Sequence, residues 1–413
     1  MKNISCDIAI IGGGASGIMA GITAARNGAK VVILEHTDKI AKKILSTGNG
    51  RCNFTNDSFY EDCYRGCDPK FADYFILQFD NKKTVEFFED IGLMTTIKDG
   101  YYYPYSNQAI SVRDVLIKEL KRLKIKIVYN FNTTSINKTN DKFEIHSDNS
   151  GNCISKKVII ATGGMAAAKT GSDGSGYKIA QNLNHKIIKP LPALVPLISN
   201  NFVLKSASGV RCDIIATLFI DNKEILSQSG QLQITDYGLS GIVIFQLSRY
   251  VSYALEYGKN VSVNINFFPS FTQKELYLYL KNRFLKEKLP IESALIGTLN
   301  NKLIVSLLKN AHIKTNTPSN QLTGKEFSNL IDNFCQFNVN ITGVKSFDMA
   351  QVSAGGVSTN QLNNKTLESN IIKGIYFAGE IIDIDGKCGG YNLQWAFTSG
   401  YVAGTCASKG INK

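Results

Sequence analysis

Three glycines near the N-terminus have a spacing that suggests a specific chemistry. Gly12, Gly14 and Gly17 form the pattern G-x-G-x-x-G directly after the apolar strand C-D-I-A-I-I, and they open a segment with a helical pattern. Glu35 ends the next apolar strand, K-V-V-I-L-E. In this context the first glycine allows a tight turn, the second lets a pyrophosphate approach the backbone, and the third lets helix and strand pack closely. The pattern therefore predicts a dinucleotide site in which Glu35 accepts hydrogen bonds from a ribose.

The glycine motif alone does not distinguish FAD from NAD, but later segments favour FAD. Residues 157–161 form a buried strand that runs into A-T-G-G at 161–164. A late strand over 374–380 ends in Gly-Glu and is followed by two aspartates. G-G-Y-N at 389–392 then opens a helix, and the free N–H groups at its N-terminus can stabilise negative charge on a reduced flavin. In this order the segments predict a tightly bound, non-covalent FAD.

No second G-x-G-x-x-G occurs in the chain. A dedicated nicotinamide domain is therefore not expected. If NAD(P)H reduces the flavin, it must bind transiently at the open flavin face. Otherwise an organic substrate reduces the flavin and oxygen reoxidises it.

Three further features near residues 51–106 are candidates for the site. Arg51 lies in a glycine-rich loop, where it would bind an FAD phosphate or an anionic substrate, or would stabilise the loop through an ion pair. Cys52 has no C-x-x-C partner, so a buried small residue is the simpler interpretation than a redox thiol. The cluster Y-Y-Y-P-Y-S at 101–106 would either wall a flat apolar substrate pocket or belong to the core.

Composition narrows the class of protein further. The net charge is +12, but lysines far outnumber the eight arginines, which favours a lysine-rich surface or an anionic small-molecule substrate over nucleic acid. The nine cysteines are an odd number and widely spread, which favours a reducing compartment over a disulfide framework. No metal site, membrane span or signal peptide is expected, so we predict a cytoplasmic monomer or homodimer.

The elements that must position these residues alternate between strands and helices, which predicts an α/β protein. Ser111 with Asp114 suggests a capping box for a helix ending near Leu123. Three prolines within 189–196 indicate a domain boundary. Strand-like segments follow over 210–267, and helical patterns follow over 273–335.

Long stretches of the chain resemble the BaiN/YhiN family of FAD-dependent oxidoreductases. The stretches are I-I-G-G-G-A-S-G-I-M-A (10–20), S-T-G-N-G-R-C-N-F-T-N (46–56), A-T-G-G-M-A-A-A-K-T-G-S-D-G-S-G-Y (161–177), P-A-L-V-P-L (192–197), T-D-Y-G-L-S-G (235–241) and Y-F-A-G-E-I-I-D-I-D-G-K-C-G-G-Y-N-L-Q-W-A-F (376–397). Ile242 and Val243 stand where family members often carry Pro-Ala, a departure that concerns the substrate rather than the cofactor.

The resemblance implies a Rossmann-like FAD-binding domain into which a β-barrel-like domain and a small helical subdomain are inserted. We place the FAD domain at 1–189 and 346–413, the β-rich domain at 190–270 and 320–345, and the helical subdomain at 271–319. Together with the motifs, the resemblance implies cofactor contacts from Gly12, Gly14, Ala15, Ser16, Gly17, Glu35, His36, Lys43, Gly50, Arg51, Asn53, Thr133, Ala161, Thr162, Gly163, Gly379, Glu380, Asp385, Gly390, Tyr391, Asn392 and Leu393. The candidate catalytic residues are Arg51, Tyr103 and Tyr391.

The implied activity is hydride transfer through flavin N5. The leading interpretation is NAD(P)H-dependent reduction of a conjugated carbonyl compound, an enone or dienone of bile-acid or steroid type. Three alternatives stay open: an amine oxidase of the aminoacetone type that makes hydrogen peroxide, an RNA-modifying flavoprotein, and a flavin-binding protein without turnover of its own.

Overall fold

A computed structural model describes residues 4–59, 62–148, 151–286 and 288–411. The chain divides into two compact units, Met1–Leu191 with Gln351–Lys413, and Pro192–Ala350. Unit 1 is thus assembled from both ends of the chain, and unit 2 is inserted into it. We describe each unit by itself.

The strands of the described residues are short apart from those of one long hairpin. In chain order they are β1 (Ile4–Ile11), β2 (Val31–Leu34), β3 (Thr55–Asn56), β4 (Tyr64–Arg65), β5 (Thr95–Lys98), β6 (Tyr101–Pro104), β7 (Lys126–Val128), β8 (Thr133–Thr139), β9 (Lys142–Ser147), β10 (Asn152–Ile160), β11 (Ile187–Ala193), β12 (Leu197–Ile198), β13 (Arg211–Ile220), β14 (Lys223–Ile234), β15 (Gly238–Ser240), β16 (Val261–Asn266), β17 (Phe337–Ile341), β18 (Gly343–Val344), β19 (Val352–Val357), β20 (Ile375–Phe377) and β21 (Asp385–Gly386).

The helices are distributed along the described chain. They are α1 (Ala15–Arg26), α2 (Lys42–Ser46), α3 (Lys70–Ile76), α4 (Asn81–Asp90), α5 (Ala109–Arg122), α6 (Ser175–Asn182), α7 (Ile242–Glu256), α8 (Gln273–Lys286), α9 (Ile291–Ala294), α10 (Asn301–Asn310), α11 (Gly324–Cys335) and α12 (Tyr391–Ser408). Short 3₁₀ turns lie at Thr47–Gly50, Ala168–Thr170, Val203–Ala207, Ser319–Gln321 and Thr359–Gln361.

A parallel sheet forms the centre of unit 1. Its strands pair in the order β7-β2-β1-β10-β20, and each of these pairs is parallel. The β8–β9 hairpin continues the sheet by pairing antiparallel with the first half of β10. All four residues of β2 are buried, as are the last four residues of β1, as expected for parallel strands covered on both faces. This sheet confirms the expected Rossmann-type α/β class.

Two helices from opposite ends of the chain cover this sheet. On α1, Gly21 faces the sheet: a Cβ there would lie 3.2 Å from Ile33 Cδ1. On α12, Gly404 lies against α1, and a Cβ there would lie 2.5 Å from the carbonyl oxygen of Ala20. Small residues on both helices therefore allow close helix–helix packing.

An antiparallel sheet forms the centre of unit 2, with strand order β17-β16-β13-β14-β15-β12-β18. Its first and last strands are consecutive in the chain and are separated only by Thr342. The segment 337–344 therefore pairs with β16 through its first part and with β12 through its second. This closes the sheet on itself and agrees with the expected β-barrel-like domain.

The helices of unit 2 share one hydrophobic core with its sheet. That core contains Leu276 and Leu280 of α8, Leu307 of α10 and Leu330 of α11, together with strand residues such as Val263. The helical piece expected at 271–319 thus has no separate core, and α11 lies within a stretch assigned to the β-rich domain. The structure also has α7 in the middle of 210–267, where the sequence had indicated only strands.

One predicted local feature is wrong. Helix α5 begins at Ala109 after Gln108, which caps it without a side-chain hydrogen bond. The hydroxyl of Ser111 instead bonds Ser106 Oγ at 2.7 Å, and Asp114 pairs with Arg113. The helix starts two residues before the predicted capping residue, so Ser111 already lies inside it.

Within the described residues, no helix has the length and apolar character needed to cross a membrane.

A buried carboxylate clamps α5 to α1. Glu119 is 3% exposed and accepts hydrogen bonds from Arg122 Nε at 2.6 Å and from Arg26 Nη2 at 2.7 Å. The Arg122 hydrogen bond, followed by that of Arg26, lowers the pKa of Glu119 from 4.5 to about 2. Because the folded pKa lies below the ordinary value, the stabilisation is complete above about pH 4.5 and is lost as the pH falls towards 2.

We expect Glu119→Gln to lower the free energy of unfolding by about 2–3 kcal/mol at pH 7, because two guanidinium groups lose their common anion. Urea unfolding at pH 7 and pH 3 measures this, and the gap between variant and wild type should shrink at pH 3. The matched control is Asp114→Asn on the same helix, whose exposed pair should contribute less than about 0.5 kcal/mol. A gap that is equal at both pH values would contradict the assignment.

Candidate functional site

Four predicted segments meet at one edge of the parallel sheet. They follow the carboxyl ends of β1, β2, β10 and β20. Backbone hydrogen bonds continue the sheet into these segments: Gly12 N donates to Leu34 O at 2.8 Å, and Ala161 N donates to Ile11 O at 2.8 Å. Ala378 N donates to Ile160 O at 3.0 Å in the same way. In open α/β sheets this edge is where ligands bind.

The β1–α1 turn leaves open space in front of a helix N-terminus. Gly12 has φ of +102°, and a Cβ there would lie 2.5 Å from Ala161 O, so only glycine fits. A Cβ on Gly14 would meet no atom within 4 Å. Within the described residues no side chain caps α1, and its first turn holds no acidic residue. The first N–H groups of α1, at Ala15, Ser16 and Gly17, are therefore available to a phosphate.

Glu35 ties this turn to the end of β2. Its Oε2 accepts a hydrogen bond from Gly13 N at 2.7 Å, and its Oε1 accepts one from Thr37 N at 2.8 Å. The side chain is 8% exposed. Each carboxylate oxygen keeps a second lone pair, so the group can still accept from a ribose hydroxyl. His36 is half-buried beside it, with Nε2 near the backbone of Gly171.

Orphaned buried polar atoms fit a bound dinucleotide. Within the described residues, neither amide atom of Asn53 has a hydrogen-bond partner, and neither do the hydroxyls of Thr133 and Thr162. All three residues were expected to contact the cofactor. A buried polar group without a partner costs about 1–3 kcal/mol, so a ligand that satisfies these atoms would be stabilised. Gly163 follows Thr162 at the same edge.

The N-terminus of α12 is another helix end in this unit that no side chain of the described residues caps. Its N-cap, Gly390, has φ of +89°, and a Cβ there would collide with Asn53 Oδ1 and lie 2.7 Å from Thr55 O. The orphaned amide of Asn53 thus lies beside the first turn of α12. Within the described residues no side chain caps this helix, and its first turn has no acidic residue.

The first-turn side chains of α12 are engaged in structural contacts. Tyr391 is buried, and its hydroxyl donates to Ser58 O at 2.7 Å. Asn392 Oδ1 accepts from Gly386 N at 2.8 Å, and its Nδ2 donates to Gly386 O at 2.9 Å. Leu393 packs against the core. The phenol of Tyr391 thus holds the start of α12 to the loop at Ser58, and the backbone N–H groups of the first turn are left for a ligand.

Glu380 joins three of the loops at the edge. Its Oε2 accepts from Lys43 Nζ at 3.0 Å, and its Oε1 accepts from Ser353 N at 2.8 Å. Ser353 Oγ in turn accepts from Met165 N at 2.8 Å and Ala166 N at 3.1 Å. Glu380 and Lys43, which are both expected to contact the cofactor, therefore form an ion pair with each other.

Asp385 and Gly379 occupy buried positions next to this network. Asp385 is 1% exposed and lies on β21, opposite Arg65 of β4. Gly379 N donates to Ser399 Oγ at 2.8 Å, and its carbonyl oxygen accepts from Trp395 Nε1 at 3.2 Å.

The loop 47–52 holds an exposed arginine beside a buried thiol. Arg51 is exposed, and its guanidinium group has no hydrogen bond or ion pair to the part of the chain that the structure describes. Gly50, just before it, is also exposed. Cys52 is fully buried, and burial raises the pKa of its thiol to about 12. Burial likewise raises the pKa of Cys388 to about 12, so both thiols stay protonated at neutral pH.

Tyr103 lies on β6, in a small antiparallel sheet with order β3-β6-β5. It is half-buried and opposite Thr96. Its neighbour Tyr102 turns inward, with its ring centroid 6.4 Å from that of Phe54. The tyrosine cluster thus divides between the core and the surface.

A buried polar network beside the site was not anticipated from the sequence. Gln394 is fully buried; its Oε1 accepts from Thr55 Oγ1 at 2.6 Å, and its Nε2 donates to Phe79 O at 3.0 Å and Thr84 Oγ1 at 2.9 Å. It holds the strand after Asn53 against α12. A glutamine inside an otherwise apolar helix, N-L-Q-W-A-F, was the available signal.

Within the described residues, no cluster of three or more His, Cys, Asp or Glu side chains could hold a metal ion.

The parallel sheet, the open glycine turn and the buried Glu35 carboxylate at the sheet edge have the arrangement of a dinucleotide-binding fold. The chain belongs to the HI0933-like family, whose Rossmann-domain model matches residues 6–406. This confirms the resemblance drawn from the motifs, and the chain is an FAD-dependent oxidoreductase.

Two curated relatives match nearly the whole chain. A 3-dehydro-bile acid delta(4,6)-reductase of Clostridium scindens is 40% identical over 97% of this chain and 99% of its own length. A ribosomal RNA dihydrouridine synthase of Haemophilus influenzae is 27% identical over 97% of this chain and 98% of its own.

A solved structure shares the fold. A 3-ketosteroid-delta4-(5alpha)-dehydrogenase from Rhodococcus jostii, in complex with 4-androstene-3,17-dione, has a TM-score of 0.50 at 13% identity. The match covers 99% of this chain and 98% of that one.

We expect Glu35→Gln to weaken FAD binding by about 1.5–3 kcal/mol, because the carboxylate supports the glycine turn and accepts from the ribose. Reconstitution of apoprotein with FAD, followed by flavin fluorescence, measures the dissociation constant. Asp38→Asn is the control, since Asp38 lies in the same loop but is exposed and paired with Lys42. An FAD affinity equal to that of wild type would contradict the ribose role.

We expect Gly390→Ala to lower the FAD content of the purified protein severalfold, because the added Cβ collides with Asn53. Gly410→Ala is the control: Gly410 also has a positive φ, +77°, but a Cβ there would meet nothing within 4 Å. The control therefore carries the backbone strain without the collision. Equal FAD content in the two variants, measured from the ratio of flavin to protein absorbance, would remove the α12 N-terminus from the cofactor site.

Proposed function

We propose that this protein reduces a carbon–carbon double bond conjugated to a carbonyl group in a bile-acid-like or steroid-like compound, with NAD(P)H as the electron donor. The observation that carries the proposal is the 40% identity, over 97% of the chain, to a 3-dehydro-bile acid delta(4,6)-reductase. In the net reaction, hydride from NAD(P)H and a proton from water add across the double bond, giving the saturated ketone and NAD(P)⁺.

FAD, when bound, supplies the redox centre that accepts and donates the hydride at N5. The chain's own residues would hold it non-covalently. The α1 N-terminus and the open turn at Gly14 would bind the pyrophosphate, and Glu35 would accept from the ribose. Asn53 and the first N–H groups of α12 would donate to the cofactor and stabilise negative charge on it.

Two groups near this edge are suited to the substrate. Arg51 offers an exposed guanidinium group to an anion, either a cofactor phosphate or a substrate carboxylate. Tyr103 offers a hydroxyl from the surface side of β6 to a substrate carbonyl. The protonated thiols of Cys52 and Cys388 argue against a dithiol relay between donor and substrate.

The absence of a second G-x-G-x-x-G motif supports a transient nicotinamide site rather than a dedicated domain. The donor would then bind, react and leave before the organic substrate enters, and ping-pong kinetics are expected.

Anaerobic bleaching of the flavin tests the proposal. We expect NADPH or NADH to bleach the holoenzyme, and a 3-oxo-4,6-diene bile acid to restore the yellow colour, with one double bond reduced per flavin and a 3-oxo monoene as the product. Aminoacetone is the comparison donor.

Other outcomes would overturn the proposal. Bleaching by aminoacetone, with hydrogen peroxide on re-aeration, would make the protein an amine oxidase. Reoxidation by ribosomal RNA but not by the dienone, with salt-sensitive binding, would place it with the dihydrouridine synthases. A flavin that none of these compounds reduces or reoxidises would indicate a binding protein without turnover.

A further inference from the structure

The β5–β6 hairpin presents large apolar side chains on its outer face. Lys98 lies opposite Tyr101 and Thr96 lies opposite Tyr103, while Tyr105 N donates to Met94 O at 2.8 Å. Residues opposite each other share a face, and alternate residues share a face. One face of the hairpin, which we call the tyrosine face, therefore holds Met94, Thr96, Lys98, Tyr101, Tyr103 and Tyr105.

The tyrosine face is exposed where its largest side chains lie. Met94 is 69% exposed, Tyr105 is 60% exposed and Tyr101 is 37% exposed. On the opposite face Pro104 is buried, Tyr102 is half-buried with its ring near Phe54, and Ile97 is 49% exposed. Contiguous exposed apolar groups of this kind mark binding surfaces.

One end of the tyrosine face lies at the opening of α12. Asn56 of β3 pairs with Tyr101, and Asn56 Nδ2 donates to Gly389 O at 3.0 Å. A Cβ on Gly389 would lie 2.7 Å from the Tyr101 ring. Gly389 directly precedes the N-cap of α12, the helix assigned above to the cofactor. The face therefore starts at the redox site and extends about 13 Å along β6 from Tyr101 to Tyr105.

The charge of the face favours a small apolar ligand over a nucleic acid. Lys98 is its single cation, and it lies at the Tyr101 end, next to the redox site. The far end, with Tyr105 and Met94, carries no charge. A nucleic acid needs cations spaced along its backbone, whereas a flat ligand with one polar end and a long apolar body matches this distribution.

We propose that the tyrosine face binds the flat fused-ring body of the substrate, with the carbonyl end at Tyr101, Lys98 and Tyr103 and the apolar rings along Tyr105 and Met94. The proposal rests on the proposed function, because it assigns the substrate surface of that same site. It makes Tyr105 and Met94 specificity-determining residues that act on the part of the substrate remote from the reacting double bond.

Substrates of two sizes test the proposal. A fused-ring enone such as 4-androstene-3,17-dione should reach the whole face, whereas 2-cyclohexen-1-one should reach only the redox end. We expect Tyr105→Ala and Met94→Ser each to raise KM for the fused-ring enone about fivefold, and the double variant to raise it about twentyfold. The kcat/KM for cyclohexenone should stay within about twofold of wild type, as should the FAD content.

A binding measurement gives a second readout that does not depend on turnover. Equilibrium dialysis of the holoenzyme with a saturated 3-oxo bile acid, which has no double bond to reduce, should show the same ratios of dissociation constants. Tyr257→Ala is the matched control, since Tyr257 is 74% exposed and lies outside the face. It should leave both KM and the dissociation constant unchanged.

The outcomes separate this proposal from the proposed function. The proposal for the tyrosine face would be wrong if the variants affected both enones equally, or if the dissociation constant were unchanged in the double variant. Enone reduction would still stand as the proposed function. The proposed function would be wrong if the wild type reduced no enone. The tyrosine face would still be a binding surface if the saturated bile acid bound with the expected sensitivity to Tyr105 and Met94. A wild type that binds no steroid would overturn the face.

Discussion

The close contact between α1 and α12 is the constraint on which the cofactor edge depends. Gly400 and Gly404 of α12 lie so near the carbonyl oxygens of Ser16 and Ala20 that neither position has room for a Cβ. These helices come from opposite ends of the chain, and their packing brings both helix N-termini to the same unit. A larger residue at Gly404 would push α12 outward and displace Gly390 and Asn53 with it, so the geometry of the redox site is set far from the site itself.

Buried hydrogen bonds then fix the loops that this packing brings together. Glu380 and Ser353 connect three parts of unit 1, namely α2, β19 and the loop that follows β10. Gln394 connects α12 to β3 and to the segment between α3 and α4. Each of these groups is costly to leave unpaired, so the network has essentially one low-energy arrangement. The polar side-chain atoms of Asn53, Thr133 and Thr162 are among the buried ones that lack a hydrogen-bond partner within the described residues, and we expect a bound ligand to pair with them.

Much of unit 1 could be predicted because its signals are local. The signals at Gly12, at Glu35 and in the strand before Ala161 each depend on only a few neighbouring residues, and the structure places each at the carboxyl end of a parallel strand. Unit 2 was harder to predict, because Ile242–Glu256 begins with β-branched residues that resemble a strand. Its buried residues Val243, Leu247, Val251 and Ala254 nevertheless recur at the helical spacing of three to four.

The roles of individual side chains were less predictable than their positions. The cofactor contacts expected of Tyr391, Asn392 and Glu380 stay predictions. The sequence did not indicate that their side chains also hydrogen-bond other parts of the chain. Which partner a polar side chain finds depends on the packing of elements distant in sequence, and no local pattern records it. Ser353 and Gln394 were missed for the same reason.

Substitutions at the cofactor edge and on the tyrosine face are expected to have different consequences. At the edge the chain packs closely around Gly12 and Gly390, so a substitution at either glycine should disturb cofactor binding and folding together. On the hairpin, Met94 and Tyr105 remain in water. Exposed apolar groups do not stabilise the free protein, and their free energy of transfer is released only when a ligand covers them. Substitutions there can change the choice of substrate without disturbing the redox centre.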